Sequence, residues 1–515
     1  KNQRPNVGCR ELIRLNASKI LPGILNDISD WVEATRIKSI QLLYIMIWQA
    51  EKNTTQHLET ALQTLFKASN ENVHIIQDYI FNCSRLIGVF TDADLCLPVA
   101  FKTVKKLNSI NSGAINLLNG LLVGCGIDKI TPNLGLECLE LLEDICKTYD
   151  NKLNQKALNC CATIAQLIQK ENSEPDSEKK NKLEYILFKV LSTISALAEE
   201  EELKMKAKEV VKNINETKIQ SLTAKFLNEL KCNCESWTDN AFEPNIFCFL
   251  LKEQEVSEKI LQDIMTILKK CLNPSKDVKM RTKFLLMIPE VFSSICKSSD
   301  KTILETCLED ILNEMIIPNI VWKAGRSAGA LRMTACASLV LLMKSEAIKT
   351  INLSDQSIDK LLKMMLSSLD DDNKSTRLYV SRVFIIILNN YGKSLEKDQL
   401  HKFYPEFIKR LDDQSEEIRV EILKIFYLYF SCLNQNYDKI LYQAHLQVIY
   451  ENLLLYLDDT NEDFQLKILD ILKHGSILNP ELLIQEIKKV KEKHRNKKLC
   501  EDLEMCCQKN IETNF

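Results

Sequence analysis

Apolar side chains recur along this chain at i, i+3, i+4 and i+7, the spacing that places them on one face of a helix. In "SIDKLLKMMLSSL" the stripe is Ile358, Leu361, Leu362, Met365, Leu366 and Leu369. In "IRVEILKIFYLYF" it is Ile418, Ile422, Ile425, Phe426 and Tyr429. Similar segments follow one another almost throughout, usually in pairs, and nowhere do strands alternate with them. The pattern predicts an all-α protein. The punctuation agrees: 12 Gly and 11 Pro in 515 residues are too few for the tight turns of a strand-rich or α/β fold of this size.

The helices come in repeats. "YPEFIKRLDDQSEEIRVEIL" has Pro405, Asp413 and Arg419, and "LPGILNDISDWVEATRIKSI" has Pro22, Asp30 and Arg36; in both, Asp stands eight residues after Pro and Arg six further on. "LSSLDDDNKSTRLYVS" keeps Asp371 and Arg377, while "LLYLDDTNEDFQLKIL" keeps Asp459 but has Gln465 in the Arg position. The Leu-Asp-Asp triplets start at 369, 411 and 457, steps of 42 and 46 residues, a period that suits a two-helix solenoid unit. Each residue type has a physical task. Proline lacks an N–H and bends the first helix. Aspartate in the turn accepts from the orphan N–H groups that open the second helix. Arginine, one and a half turns in, is placed to meet an aspartate of the neighbouring repeat and so to hold the stack in register.

This is the HEAT-repeat pattern, and the order of the motifs adds to it. "GCRELIRLNASKILPGILNDISDWVEATRIKSIQLL", "TTQHLETALQTLFKA", "VWKAGRSAGALRMTA", "LDDDNKSTRLYVSRVF", "YPEFIKRLDDQSEEIR" and "ILKHGSILNPELLIQE" occur in that order. The series resembles the later part of the HEAT-repeat family of dynein axonemal assembly factors, the fifth of that named group. The resemblance covers both ends and most of residues 300 to 500; from about 110 to 300 only the helical repeat is legible. It implies a HEAT/armadillo-type α-solenoid, a curved superhelix of antiparallel helix pairs. It also implies cytoplasmic preassembly of dynein arms for motile cilia and flagella. The partners it implies are axonemal dynein heavy and intermediate chains, other assembly factors and the Hsp90/Hsp70 chaperone machinery.

Two polar stretches interrupt the pairs: "ENSEPDSEKKNK" at 171 to 182 and "NCESWTDNAFEPN" at 233 to 245. Both read as long loops or hinges. The expected organisation is a HEAT segment over 1–170, a helical segment over 171–245 and a second HEAT segment over 246–515, all in one continuous solenoid.

Charge and composition narrow the function. Lys plus Arg number 67 and Asp plus Glu 70, a net charge of −3, which gives no support for a global nucleic-acid or anionic-membrane surface. No uncharged apolar run reaches membrane-spanning length. The 19 Cys stand singly or as Cys160-Cys161 and Cys506-Cys507 within apolar helical patterns, so they read as small core hydrophobes of a reducing compartment. The chain opens on Lys1, which is expected of a piece of a longer product, and a missing start would hide a signal peptide.

One stretch points elsewhere. Gly325-Arg326-Ser327-Ala328-Gly329 is a literal G-x-S-x-G, the nucleophile-elbow pattern of α/β-hydrolases. That elbow needs a strand before the turn and a His to complete the triad. Pro318 interrupts the only apolar run available, and His401, His445 and His474 lie in helical repeats. Ala324, Gly325, Ser327, Ala328, Gly329 and Ala330 read instead as a tight junction between helices, with Arg326 and Arg332 exposed or paired.

Gly120, Gly124 and Gly126 hint at a phosphate-cradling turn but lack the Lys-Ser/Thr of a P-loop, so a glycine-capped helix end is expected. Cys232 and Cys234 could begin a zinc site, but no second pair follows, and Cys248 and Cys271 stand alone. "KKVKEKHRNKK", 488 to 498, is the one strong basic run and reads as a solvated terminal helix, with an acidic partner, RNA or tubulin as the functional alternative. No aromatics interleave it for base stacking. Glu199 to Glu202 reads as a solvated helix start. Trp31, Trp237 and Trp322 could anchor a partner, though packing between repeats is the first expectation for Trp31.

No catalytic, cofactor or metal constellation emerges, and the partner-binding residues stay unassigned. The expectation is a non-enzymatic scaffold binding proteins, with no nucleic acid and no membrane. The alternative is a HEAT-repeat transport or adaptor protein carrying folded cargo.

Overall fold

The computed structural model describes residues 4–107, 109–170, 178–212, 214, 216–238, 240–253, 258–298, 301–346, 348, 353–433 and 437–513. The described residues form helices and the turns between them, and no strand occurs among them. The chain divides into two compact units, Lys1–Cys232 with Asn240–Gln254, and Asn233–Asp239 with Glu255–Phe515.

The first unit runs α1 (Val7–Asp27), α2 (Glu33–Ala50), α3 (Leu58–Ala68), α4 (His74–Phe90), α5 (Ala93–Lys105) and α6 (Ser112–Cys125). It continues with α7 (Pro132–Ile145), α8 (Asn151–Lys170), α9 (Glu178–Leu197), α10 (Glu201–Val211), α11 (Glu216–Asn233) and α12 (Glu243–Glu253). Two rows result: α2, α4, α6 and α8 pack in succession, as do α3, α5, α7 and α9. The second unit holds α13 (Glu258–Cys271), α14 (Val278–Ser298), α15 (Lys301–Asp310), α16 (Ile317–Ile320), α17 (Arg326–Met343), α18 (Asp355–Ser368) and α19 (Lys374–Tyr391). Then come α20 (Lys397–Leu400), α21 (Tyr404–Leu411), α22 (Glu416–Leu433), α23 (Gln443–Tyr456), α24 (Glu462–Gly475), α25 (Pro480–Val490) and α26 (Lys497–Thr513). Here α14, α17, α19, α22, α24 and α26 form one continuous row.

The predicted stripes are the core. Ile418, Ile422, Ile425, Phe426 and Tyr429 of α22 are all fully buried. Phe407 of α21 meets Phe384 of α19 edge-on at 5.2 Å and Phe426 of α22 at 6.0 Å. Proline acts in two ways. Pro22 sits inside an unbroken α1, whereas Pro405 opens α21 and separates it from the four-residue α20. Pro318 opens α16 directly after a π-helical turn, Ile311–Ile316, the wider turn by which a helix adapts to a residue without an N–H.

Two expectations are corrected here. The first polar stretch lies partly on 171–177, outside the described residues, and its remainder is helix from Glu178, because Glu and Lys extend a solvated first turn readily. The tight glycine junction is also elsewhere. Residues 321 to 327 and Ala330 are exposed, and a Cβ on Gly329 would meet nothing closer than 3.9 Å.

The close approach is between α4 and α6. A Cβ on Gly88 would lie 2.5 Å from the Leu121 carbonyl oxygen. One on Gly120 would overlap Ser84 Oγ, and one on Gly124 the carbonyl oxygen of Arg85. Ser84 and Gly88 stand one turn apart on α4, as do Gly120 and Gly124 on α6, so the backbones touch along a seam of small residues. Gly126 then caps α6 at φ 73°, as the sequence suggests.

Gly124→Ala is expected to destabilise the first unit by about 1–3 kcal/mol, because the obstacle is backbone and cannot rotate away. Gly23→Ala is the matched control, since a Cβ there meets nothing within 4 Å. It should be neutral or stabilising by up to about 1 kcal/mol. Urea denaturation of the two variants measures the difference.

Candidate functional site

The recurring Asp–Arg pattern builds a ladder through the turns. Each aspartate closes the turn before the next helix by accepting from the amide two residues on: Asp371 Oδ1 from Asn373 at 2.8 Å, Asp413 Oδ1 from Ser415 at 2.9 Å, and Asp459 Oδ1 from Asn461 at 2.9 Å, with Asn373 and Asn461 then capping α19 and α24. The arginine six residues on ties its own turn and reaches the next. Arg377 donates from Nη1 to the Asp371 carbonyl at 2.9 Å, and from Nε and Nη2 to the two carboxylate oxygens of Asp413 at 2.8 and 3.0 Å. Arg419 reaches Asp459 at 2.5 Å. Arg332 joins Asp371 through Nε at 2.6 Å and Nη2 at 3.2 Å. Its role is illegible in the sequence because no Asp stands six residues before it.

Gln465 keeps only half the pattern, donating to the Asp459 carbonyl at 2.5 Å. Residues 490–497, the turn that follows, contain no aspartate for an arginine to meet.

These carboxylates are desolvated: the Asp371 side chain is 2% exposed and that of Asp413 1%. Burial works against the Asp413 charge. Hydrogen bonds from Arg377 and the Ser415 amide, with the charges of Arg377 and Arg410, overcome it and hold the carboxyl below its ordinary value. In the first unit the opening rung is ionic, Arg36 to Glu71 at 2.9 Å. The following turns use neutral amides. Gln77 donates to the Glu71 and Ser69 carbonyls at 2.6 and 2.9 Å, and Asn111 donates to the Ser69 carbonyl at 3.1 Å while capping α6.

Those neutral turns open a polar groove of about 500 Å³. Gln77, Asn111, Asn116, Lys152, Lys156 and Glu200 line it, carried by the first turns of α4, α6 and α8 and the turn before α10. Charges of both signs and amides face the same space, which suits polypeptide polar groups rather than a polyanion.

The remaining candidates fall as follows. Ser327 is exposed in the first turn of α17 with no hydrogen-bonded base, and a helix (α16) and a short coil precede it instead of a strand. Cys232 is exposed and Cys234 buried, and no group of three or more His, Cys, Asp or Glu is placed to hold a metal among the described residues. The basic run is not one helix: it spans the end of α25, a 3-10 turn at Lys491–Lys493 and the start of α26. Lys489, Lys491, Arg495 and Lys497 have carboxylate partners, which offset part of its charge. Glu201 and Glu202 start α10 and pair with Lys204 and Lys206. Trp237 is buried and stacks on Phe284. Trp31 is 90% and Trp322 59% exposed, which overturns packing between repeats for Trp31. Arg36 donates to the Trp31 carbonyl at 3.0 Å, so this turn is tied through its backbone while the ring stays exposed.

A cluster that sequence reading misses lies around His401. Its ring stacks on His445 with centroids 4.5 Å apart and planes 8° from parallel. His401 Nδ1 and Nε2 meet the hydroxyls of Tyr429 at 2.8 Å and Tyr437 at 3.2 Å. Burial, aided by His445, draws the His401 pKa down to about 4. The partners are 28 to 44 residues away in sequence, too far for any local motif.

Stacked antiparallel helix pairs whose turns are closed by aspartate and bridged by arginine define a HEAT-repeat protein of the α-solenoid class. Residues 1–198 match the family described as dynein axonemal assembly factor 5, HEAT-repeat domain. The chain is 32% identical to dynein axonemal assembly factor 5 of Xenopus laevis, over 97% of this chain and 60% of that protein. It is 31% identical to the Homo sapiens protein of that name, over 97% of this chain and 59% of the relative. The resemblance carried by the ordered motifs thus extends along nearly the whole chain, including the stretch from 110 to 300. The chain spans about three fifths of the length of these relatives. Among solved structures, an engineered protein aligns over 88% of this chain and 98% of its own at 11% identity, with a TM-score of 0.38.

Arg377→Ala leaves Asp413 buried without its bidentate partner, and a loss of about 3–5 kcal/mol is expected. Lys182→Ala removes an exposed pair with Glu140 and should cost under about 1 kcal/mol. Urea titrations distinguish them. His401 gives a pH signature. Its folded pKa lies below the unfolded value of about 6.5, so the unfolded chain takes the proton first. The stability from neutral His401 is complete above that value and is lost as pH falls towards 4. His401→Gln should flatten the slope of melting temperature against pH in this window, whatever it does to the plateau.

Proposed function

We propose that this chain is a non-enzymatic scaffold for the preassembly of axonemal dynein arms of motile cilia and flagella. The observation that carries the reading is similarity over 97% of the chain to proteins named dynein axonemal assembly factor 5. The fold supports it. Repeats that bury their faces only against neighbours leave long rows of turns and helix faces free for large protein partners. The polar groove of the first unit and the exposed Trp31 turn are surfaces of that kind.

In this reading the chain acts in the cytoplasm and holds partly assembled subunits against aggregation. Its partners are dynein heavy and intermediate chains, other assembly factors and the Hsp90/Hsp70 machinery. No helix among the described residues is long and apolar enough to cross a membrane. Shape and distributed contacts, not a catalytic residue, would carry the work.

Affinity capture with this chain from ciliated-cell cytosol, read by mass spectrometry, tests the proposal. Enrichment of axonemal dynein chains and chaperones is expected. A Lys152→Glu/Lys156→Glu variant should recover fewer of them at an unchanged melting temperature. Nuclear-transport cargo or a small GTPase in place of dynein would overturn the reading in favour of a transport receptor.

A further inference from the structure

The two helices of one repeat, α5 and α6, bring a pair of thiols into contact. Cys96 lies in the first turn of α5 and Cys125 is the last residue of α6, so antiparallel packing sets the two ends side by side. Their sulfurs are 3.5 Å apart. Cys96 is fully buried and Cys125 is 4% exposed. The chain turns sharply just beyond, at Gly126 with φ 73°, into the short 3-10 turn that carries Lys129.

Other buried cysteines differ in their surroundings. The Cys160 sulfur faces the Ile115 carbonyl at 3.8 Å, and that of Cys83 faces the Ile40 carbonyl at 3.9 Å. Burial pushes both thiols up, as apolar surroundings do. In the Cys96–Cys125 pair either sulfur can donate to the other, and the Cys96 sulfur also lies 3.9 Å from the Ala93 carbonyl. Contact with Cys96 and the Lys129 charge draw the Cys125 thiol below its ordinary value against the pull of burial. Cys96 moves the opposite way, raised by its contact with Cys125 and by burial. Two sulfurs at contact distance, the one at the helix end favoured by a lysine charge, are the arrangement of an attacking and a resolving cysteine.

We propose that Cys96 and Cys125 are a reversible oxidation site, closed to an intramolecular disulfide by a hydroperoxide and opened by a dithiol reductant. The chemistry balances with hydrogen peroxide as oxidant. The Cys125 thiolate attacks one peroxide oxygen, the O–O bond breaks, and Cys125 becomes a sulfenic acid as hydroxide leaves. The Cys96 sulfur, giving up its proton, then attacks the Cys125 sulfur. The S–S bond forms, the S–O bond breaks, and water leaves. Two thiols lose two electrons and two protons, and one peroxide becomes two waters. The sulfurs must close by about 1.5 Å to reach bonding distance, a movement within reach of side-chain rotation at two helix ends. Peroxide is close to water in size, and the end of α6 is where a helix opens most readily.

The bond would tie α5 to the C-terminal end of α6, whose Gly120 and Gly124 form the seam with α4. Oxidation would thus staple the most closely packed part of the first unit.

The test uses the intact native chain. It is treated with hydrogen peroxide, quenched with an alkylating agent and digested without reductant. Mass spectrometry should find the Cys96 and Cys125 peptides joined, two hydrogens lighter than their sum, and separated again by dithiothreitol. The oxidised chain should also melt at a higher temperature than the reduced one. Cys96→Ser should lose the link and convert Cys125 to the sulfinic acid. Cys96 and Cys125 both remaining free thiols, at a peroxide dose that fully oxidises the exposed Cys9 and Cys232, would overturn the proposal. So would a link that forms only in urea.

Discussion

The bidentate bond between Arg377 and Asp413 shows what the second unit depends on. A repeat of two helices cannot bury its apolar face alone, so it must find its neighbour in one register. Hydrophobic contact favours burial but tolerates sliding; a buried carboxylate does not. Asp413 is almost wholly removed from water and is tolerable only with its guanidinium in place. The same aspartate closes the turn that leads into α22 by accepting from the Ser415 amide, so shaping that turn and setting the spacing between repeats are one event. Repetition of this rung at Asp371 and Asp459 carries the constraint from turn to turn.

The first unit reaches a similar end by a different route. After Arg36 its turns are joined by the amides of Gln77 and Asn111, which bind without charge. Register is enforced deeper in the stack, where Gly88, Gly120 and Gly124 allow the α4 and α6 backbones to touch. A side chain at any of these positions fills space that is already occupied. Ionic rungs specify by attraction, and the glycine seam specifies by exclusion.

Much of this was legible in the sequence. The apolar stripes and the Asp–Arg interval depend on local periodicity, which a chain cannot hide. Arg332 escapes the pattern because no aspartate stands six residues before it: it is known only by the aspartate 39 residues ahead. The small residues around Ser327 were legible as small but not as exposed, since nothing local says whether a neighbour arrives. The same holds for Trp31, which no neighbouring repeat covers. The His401–His445 stack and the Cys96–Cys125 pair are long-range meetings of residues that look unremarked in isolation. Gln465, in an arginine position, is a rung with its outward half removed.

The ladder also sets where the chain can change length. Within a rung the interval from aspartate to arginine is six residues, because the guanidinium must reach its own turn and the next carboxylate together. From Leu-Asp-Asp to Leu-Asp-Asp, however, the steps are 42 and 46 residues, and the extra four lie outside that interval. Insertions and deletions are therefore confined to the connections between rungs. A lineage of such proteins can lengthen or trim its outer loops freely while the turn-to-turn interval stays fixed.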